Sequence, residues 1–167
     1  MIHSVAMLLW LGLCAVQDGR QRQIANSLTL GAALLALIYL LWVGTTWLGA
    51  PASEGGWAFA VALLLTLPGY ALGRFGAGDV KLLAALGLAS NIEYLLGALI
   101  GAGIVMVAWT LMHQWLSSNR VERAGQASTK QPFAPFVLTG FAGSWFWIHQ
   151  SHELINAMYI VGKYVYV

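Results

Sequence analysis

Asp18 and Asp79 are the only two aspartates in the 167-residue chain, and the surroundings of Asp79 are suited to chemistry. It follows two glycines and precedes a lysine in Arg74-Phe75-Gly76-Ala77-Gly78-Asp79-Val80-Lys81, between two strongly apolar segments. A charge in that position is costly unless something uses it. Two carboxylates held close together cannot both ionise cheaply, so they share a proton: one acts as base on a water while the other polarises a carbonyl. Such a pair titrates as a unit. Gly76 and Gly78 suit a site of this kind because they allow a sharp backbone turn and the close approach of a substrate strand. Lys81 either tunes the pair electrostatically or anchors the topology.

For the pair to form, the elements that carry it must bring residues 18 and 79 together, and composition says what those elements are. Hydrophobic residues make up 59% of the chain and charged residues 8%, far below the roughly 25% charged content of a soluble domain. Mean hydropathy is +0.73. These values predict an all-α, polytopic membrane helix bundle forming one domain over residues 1–167, with the lipid bilayer as its surroundings. The net charge of +2 gives no reason to expect a nucleic-acid partner. The single Cys14 excludes an internal disulfide, a four-thiolate zinc site and a CxxC redox pair, and reads as an inert buried thiol. Leu13 is too bulky for a lipoprotein cleavage box and no basic region precedes it, so the N-terminus reads as a retained helix.

About six transmembrane helices are expected. The first covers residues 3–17 and stops at Asp18-Gly19. The second, capped by Asn26 or Ser27, runs to about Gly49. A turn-rich loop precedes the third, residues 57–73. The apolar run 80–116 is about 37 residues, roughly 55 Å of helix, too long for one span of a ~30 Å core. Ser90-Asn91-Ile92-Glu93 is its only polar break, so it divides into a short fourth helix, 80–89, and a fifth, 94–116. A sixth segment ends near Ile148, and the tail 154–167 has no clear placement.

The distribution of positive charge supports this division. With six spans, Arg20, Arg22, Arg74, Lys81, Arg120, Arg123 and Lys130 fall on one side and only Lys163 on the other. That side is the cytoplasmic one. Trp47, Trp57, Trp115, Trp145 and Trp147 fall near predicted ends, as an interfacial belt would place them, whereas Trp10, Trp42 and Trp109 do not. Asp18 closes the first helix and Asp79 opens the fourth, so both carboxylates reach the same face at similar depth. Paired there, they are the machinery of an aspartic protease.

Asp18-(x)5-Ile24-Ala25-Asn26, Gly76-Ala77-Gly78-Asp79-Val80-Lys81, Pro132-Phe133-Ala134-Pro135 and Gly140, in this order, resemble the motifs of the A24 family of type IV prepilin peptidases, membrane aspartic proteases with a GxGD motif. The resemblance covers nearly the whole chain. It implies cleavage of the basic leader of a prepilin or pseudopilin precursor at the cytoplasmic face of the bacterial inner membrane, with Asp18 and Asp79 as the catalytic pair and no metal or organic cofactor. It implies supporting or substrate-binding roles for Gly76, Gly78, Lys81, Asn26, Pro132, Phe133 and Pro135. Many members carry Pro where this chain has Ala25, which loosens the turn after Asp18. Larger relatives add a cysteine-bearing cytoplasmic region and methylate the new terminus. This chain is similar to the short, peptidase-only form serving Flp-type (tight adherence) pili, and no methyltransferase activity is expected.

Other constellations carry less. His149-Gln150-Ser151-His152-Glu153 has metal-ligand residue types but lies on the predicted outer face and reads as a polar helix end. His113 reads as interfacial or packing. Gly69-x3-Gly73 and Gly97-x3-Gly101 permit close helix approach within the bundle, with a homodimer as the alternative to a monomer. The 117–130 loop and the Pro-Phe-Ala-Pro segment are placed to cover the site. The competing functions are a small transporter or ion-pathway subunit using paired aspartates, and a non-catalytic pilus assembly protein.

Overall fold

The computed structural model describes residues 2–73, 75–117 and 132–165, the last stretch with side chains to residue 151. The 117–130 loop expected near the site therefore lies almost wholly outside the described residues, as do Arg74 and the side chains of the tail. Six helices follow one another: α1 (Ile2–Gln21), α2 (Asn26–Val43), α3 (Ala52–Ala71), α4 (Ala77–Ala89), α5 (Ile92–Ser117) and α6 (Ala134–Val165), with no strand among the described residues. The expected all-α membrane bundle with a short fourth helix is what forms. Ile2–Gln21, Asn26–Val43 and Ile92–Leu116 are each long and apolar enough to cross a membrane.

Several helix ends differ from expectation, and each difference has a local cause. Helix α1 does not stop at Asp18-Gly19 but continues to Gln21. It ends where Arg22 turns left-handed, at φ 52°, and returns its N–H to the Asp18 carbonyl at 2.8 Å, a C-terminal capping geometry more usual for glycine. Helix α2 is capped by neither Asn26 nor Ser27; Ala25 occupies that position without a side-chain bond, and Gly44, at φ 77°, ends the helix before Gly49. Helix α3 starts at Ala52, directly after Pro51, whose carbonyl accepts the N–H groups of Glu54 and Gly55 at 3.0 and 3.4 Å, so that Gly55, expected in the loop before residue 57, is inside the helix. Helix α4 begins at Ala77, so Asp79 is in its first turn and not ahead of it. Helix α6 runs unbroken through residues 149–153 to Val165, so that polar cluster is mid-helix, and His149 stacks on Trp145 at 5.5 Å.

Helix α4 is the hub. Its 13 residues span about 20 Å, short of a ~30 Å hydrocarbon core. Every residue from Leu82 to Ser90 is buried, so the helix is apolar all round and enclosed by protein, as a helix in the centre of a bundle must be. Gly87 makes this possible: a Cβ there would meet the Ala58 backbone at 2.8 Å. At the periphery Leu35, Leu41, Trp42, Leu64, Ile100, Ile104 and Trp115 are exposed, a spread of apolar surface that belongs in lipid. The buried hydroxyls of Thr66 and Ser90 bond back to the carbonyls of Ala62 and Leu86, at 2.6 and 2.7 Å. No buried side-chain N or O among the described residues lacks a partner. The chain is an integral membrane protein.

Contacts at the two ends establish alternating helix directions. At one end the Trp47 indole N–H donates to the His3 carbonyl at 3.2 Å and the Leu48 N–H to the Ala89 carbonyl at 3.1 Å, gathering the start of α1 with the ends of α2 and α4. At the other, the Ala25 N–H donates to Gln17 Oε1 at 3.1 Å and Lys81 Nζ to Asn26 Oδ1 at 2.8 Å. Helices α5 and α6 run antiparallel, with Gly97 against Ser144 and Gly101 against Gly140, as expected of that glycine pair. The Gly69-x3-Gly73 pair behaves differently: Gly69 makes room for the Phe75 ring, and Gly73, at φ 69°, meets nothing. With Cys14 replaced by serine, single cysteines at Gln21 and Ser53 are expected to react with an impermeant thiol reagent from opposite sides of sealed vesicles. Labelling of both from one side would refute the alternating arrangement.

Candidate active site

Three helix termini and the α1–α2 connection enclose a cavity of about 610 Å³, lined by Gln17, Asp18, Gln21 and Arg22 from α1 and its cap, by 23–26, and by Gly76, Ala77, Gly78, Asp79 and Lys81 from α4. Asp18 is 5% exposed and Asp79 9%. Residues 61 apart in the chain thus line one cavity.

Each carboxylate is held by a backbone N–H. Asp18 Oδ2 accepts the Ala134 N–H at 2.9 Å, a buried bond reaching from α1 to α6. Ala134 is the first residue of α6, so its amide is one of the four that a helix cannot satisfy internally. Asp18 supplies the missing acceptor from another helix, and its charge lies at the positive end of the α6 dipole. Asp79 Oδ2 accepts the Gly76 N–H at 2.8 Å; with Asp79 at the third position of α4 this is the reaching-back half of a capping box. A carboxyl group held this way has its rotamer fixed by the helix that it caps.

The two aspartate segments are also joined through aromatic packing. Phe75, immediately before Gly76, meets Phe133 edge-on with centroids 5.3 Å apart, and Phe133 precedes the amide that Asp18 binds. Phe133 caps α6 by accepting the N–H groups of Phe136 and Val137 at 3.0 and 3.2 Å. Pro135 falls in the first turn, where a missing N–H is harmless. Pro132 and Pro135 line a separate apolar cavity of about 310 Å³ with Trp109 and Phe136, and the backbone between them supplies the Ala134 amide that Asp18 accepts.

Of the two reasons expected for the glycines, the sharp turn is not what the backbone shows. Gly76 has φ −84° and ψ 155°, a conformation open to any residue, and Gly78 is within α4, where a Cβ would touch Ile24 at an ordinary 3.6 Å. Neither makes a turn that demands glycine; both line the cavity without a side chain, which agrees with the close approach expected of them. Asn26, a candidate for capping α2, instead accepts from Lys81 Nζ, tying α2 to α4 at the cavity mouth. Gln17, Gln21, Arg22 and Gln23 were not singled out by sequence reasoning. The signal was present in Gln17 and Gln21, one helical turn apart and flanking Asp18 on the same face.

With this geometry in place, one comparison decides the family: a model of the type IV leader peptidase family matches residues 5–111. The chain belongs to that family. Comparisons with curated proteins and with solved structures returned no match. The matched stretch runs from α1 into α5 and contains every residue that lines the cavity. Membership makes this leader peptidase an aspartic-type membrane peptidase acting on a precursor. No cluster of three or more metal-ligating side chains occurs among the described residues, and His113 packs beside Trp109 at 5.7 Å.

Proposed function

We propose that the chain is a single-domain prepilin peptidase that removes the leader of a type IV prepilin-like precursor, of the Flp type or a pseudopilin, at the cytoplasmic face of the bacterial inner membrane. The observation that carries this reading is that Asp18 and Asp79 line one cavity at one end of the bundle in a chain of the leader peptidase family. In the proposed reaction one carboxylate takes a proton from a water, whose oxygen attacks the scissile carbonyl. The other, protonated, donates to the carbonyl oxygen. Collapse of the tetrahedral intermediate breaks the C–N bond, and the amine leaves with a proton returned by the pair. The Ala134 and Gly76 N–H groups hold the carboxylates in place for these transfers. No step adds a methyl group.

Co-expression of a candidate precursor with this chain tests the reading. A size shift, with a new N-terminus mapped to the end of the leader, is expected; no shift with any prepilin-like precursor would favour a transporter or a silent assembly protein. Lys81 gives a finer test. Its bond to Asn26 is exposed and worth only about 1 kcal/mol to stability, yet it closes one side of the cavity and places a positive charge there. Lys81→Met is expected to reduce processing about 10-fold at nearly unchanged melting temperature, with Lys81→Arg intermediate. Wild-type processing by Lys81→Met would leave the lysine a topology anchor only.

A further inference from the structure

Helices α1 and α2 are joined by only four residues, 22–25, a connection after which two helices ordinarily pack as an antiparallel pair. Here they do not. Helix α1 packs mainly on α6 and α2 mainly on α4, leaving a seam between them. Two tryptophans bridge it by indole N–H bonds, Trp10 to the Leu28 carbonyl at 3.0 Å and Trp47 to the His3 carbonyl at 3.2 Å. Between these bridges is an apolar cavity of about 230 Å³ lined chiefly by Ala6, Met7, Ala32, Ala36, Ala85 and Ala89.

This cavity continues the candidate active site on the same helix faces. On α4, Lys81 lines the polar cavity, and Ala85 and Ala89, four and eight residues on, line the apolar one. On α1, Gln21 and Gln17 lead through Cys14 to Trp10 and Met7 on one face. On α2, Ala32 and Ala36 share a face one helical turn apart, beyond the Ala25 cap that lines the polar cavity. The seam thus has a polar end holding both aspartates and an apolar end floored by alanines, with the Trp10 ring between them.

We propose that the apolar end receives the segment of the precursor that follows the scissile bond, docked along the α1–α2 seam, where a chain at that depth in the bilayer has to be an apolar helix. This inference rests on the function proposed above. A volume of 230 Å³ is that of a cube about 6 Å on a side, too small for a helix of about 10–12 Å diameter. The helix therefore lies over the seam from the lipid side and inserts apolar side chains between the two tryptophan bridges. Ala85 and Ala89 are six and ten residues beyond Asp79, about 9 and 15 Å along α4 at 1.5 Å per residue. Hence the inserted side chains belong to roughly the sixth to tenth residues after the cut bond.

Leu35, which lines this cavity and is 70% exposed, supplies the probe. With Cys14 replaced by serine, Leu35→Cys should form disulfides with single cysteines walked along the precursor, with yield peaking near those positions, while Leu111→Cys on α5 gives no peak. Ala32→Phe, which fills the cavity from its rim, should slow processing of the membrane-embedded precursor about 10-fold. It should leave cleavage of a short soluble peptide spanning the same bond at the wild-type rate, and Ala60→Phe on the exposed face of α3 should affect neither substrate. A flat cross-linking profile, or equal effects of Ala32→Phe on both substrates, would mean that the seam holds only lipid and would overturn the docking inference alone. A wild-type protein that cleaves neither substrate would overturn the proposed function and this inference with it.

Discussion

Asp18→Asn and Asp79→Asn are each expected to lower leader removal by at least about 10³-fold while leaving the protein folded. The reason is that amide and carboxylate share a shape but not a chemistry. An asparagine at 18 can still accept the Ala134 N–H, and one at 79 the Gly76 N–H, so the fold loses on the order of 1 kcal/mol at each site. Neither amide can take a proton from water or hold the one that the pair must share. Because the two carboxylates act as a unit, the double variant should be no worse than either single one. Processing is followed as the ratio of precursor to mature protein, with detergent melting curves as the folding control. Processing that persists in either single variant would sink the aspartyl mechanism.

Gly140→Ala is expected to be the most damaging small substitution outside the cavity. A Cβ at this position would run into the Ala98 carbonyl oxygen and come within 2.7 Å of the Ala102 nitrogen, and neither backbone group can swing aside as a side-chain tip could. Helices α5 and α6 must separate, at a cost of about 1–3 kcal/mol for overpacking. The disturbance also reaches the site, because Gly140 and Ala134 are on one helix and the Ala134 amide holds Asp18. A fall in melting temperature together with a loss of processing is therefore expected. Gly143→Ala, three residues on with nothing within 4 Å, should be neutral or stabilising by up to about 1 kcal/mol through helix propensity. Equal melting temperatures for the two variants would show that the α5–α6 approach is looser than the structure has it.

The sequence by itself determined the solvent, the helix count and the end of the bundle at which Asp18 and Asp79 come to one cavity. Those follow from averages over many residues: the apolar content, the length of the 80–116 run, and the placement of seven of eight basic residues on one side. Errors at single positions do not alter such sums, so a wrong cap at Asn26 or an early stop at Asp18 left the topology intact. The pairing of Asp18 with Asp79 across one cavity was legible for the same reason, since alternating spans bring the end of α1 and the start of α4 to one level.

What only the tertiary structure decided is how each residue is used. Helix ends depend on one or two dihedral angles, and the left-handed turn at Arg22 has no glycine to announce it. The partner of Asp18 is a backbone amide 116 residues away, and every residue type except proline carries that group, so no motif records it. Pro132-Phe133-Ala134-Pro135 was legible as a motif but not as a helix start that offers its first amide to a carboxylate. The sharp turn expected at Gly76 and Gly78 is absent, because one begins and the other lies within a regular helix, and both line the cavity without a side chain. The seam between α1 and α2 was hidden altogether, because four connecting residues favour close packing and only the competing contacts of α1 with α6 and of α2 with α4 hold the two helices apart.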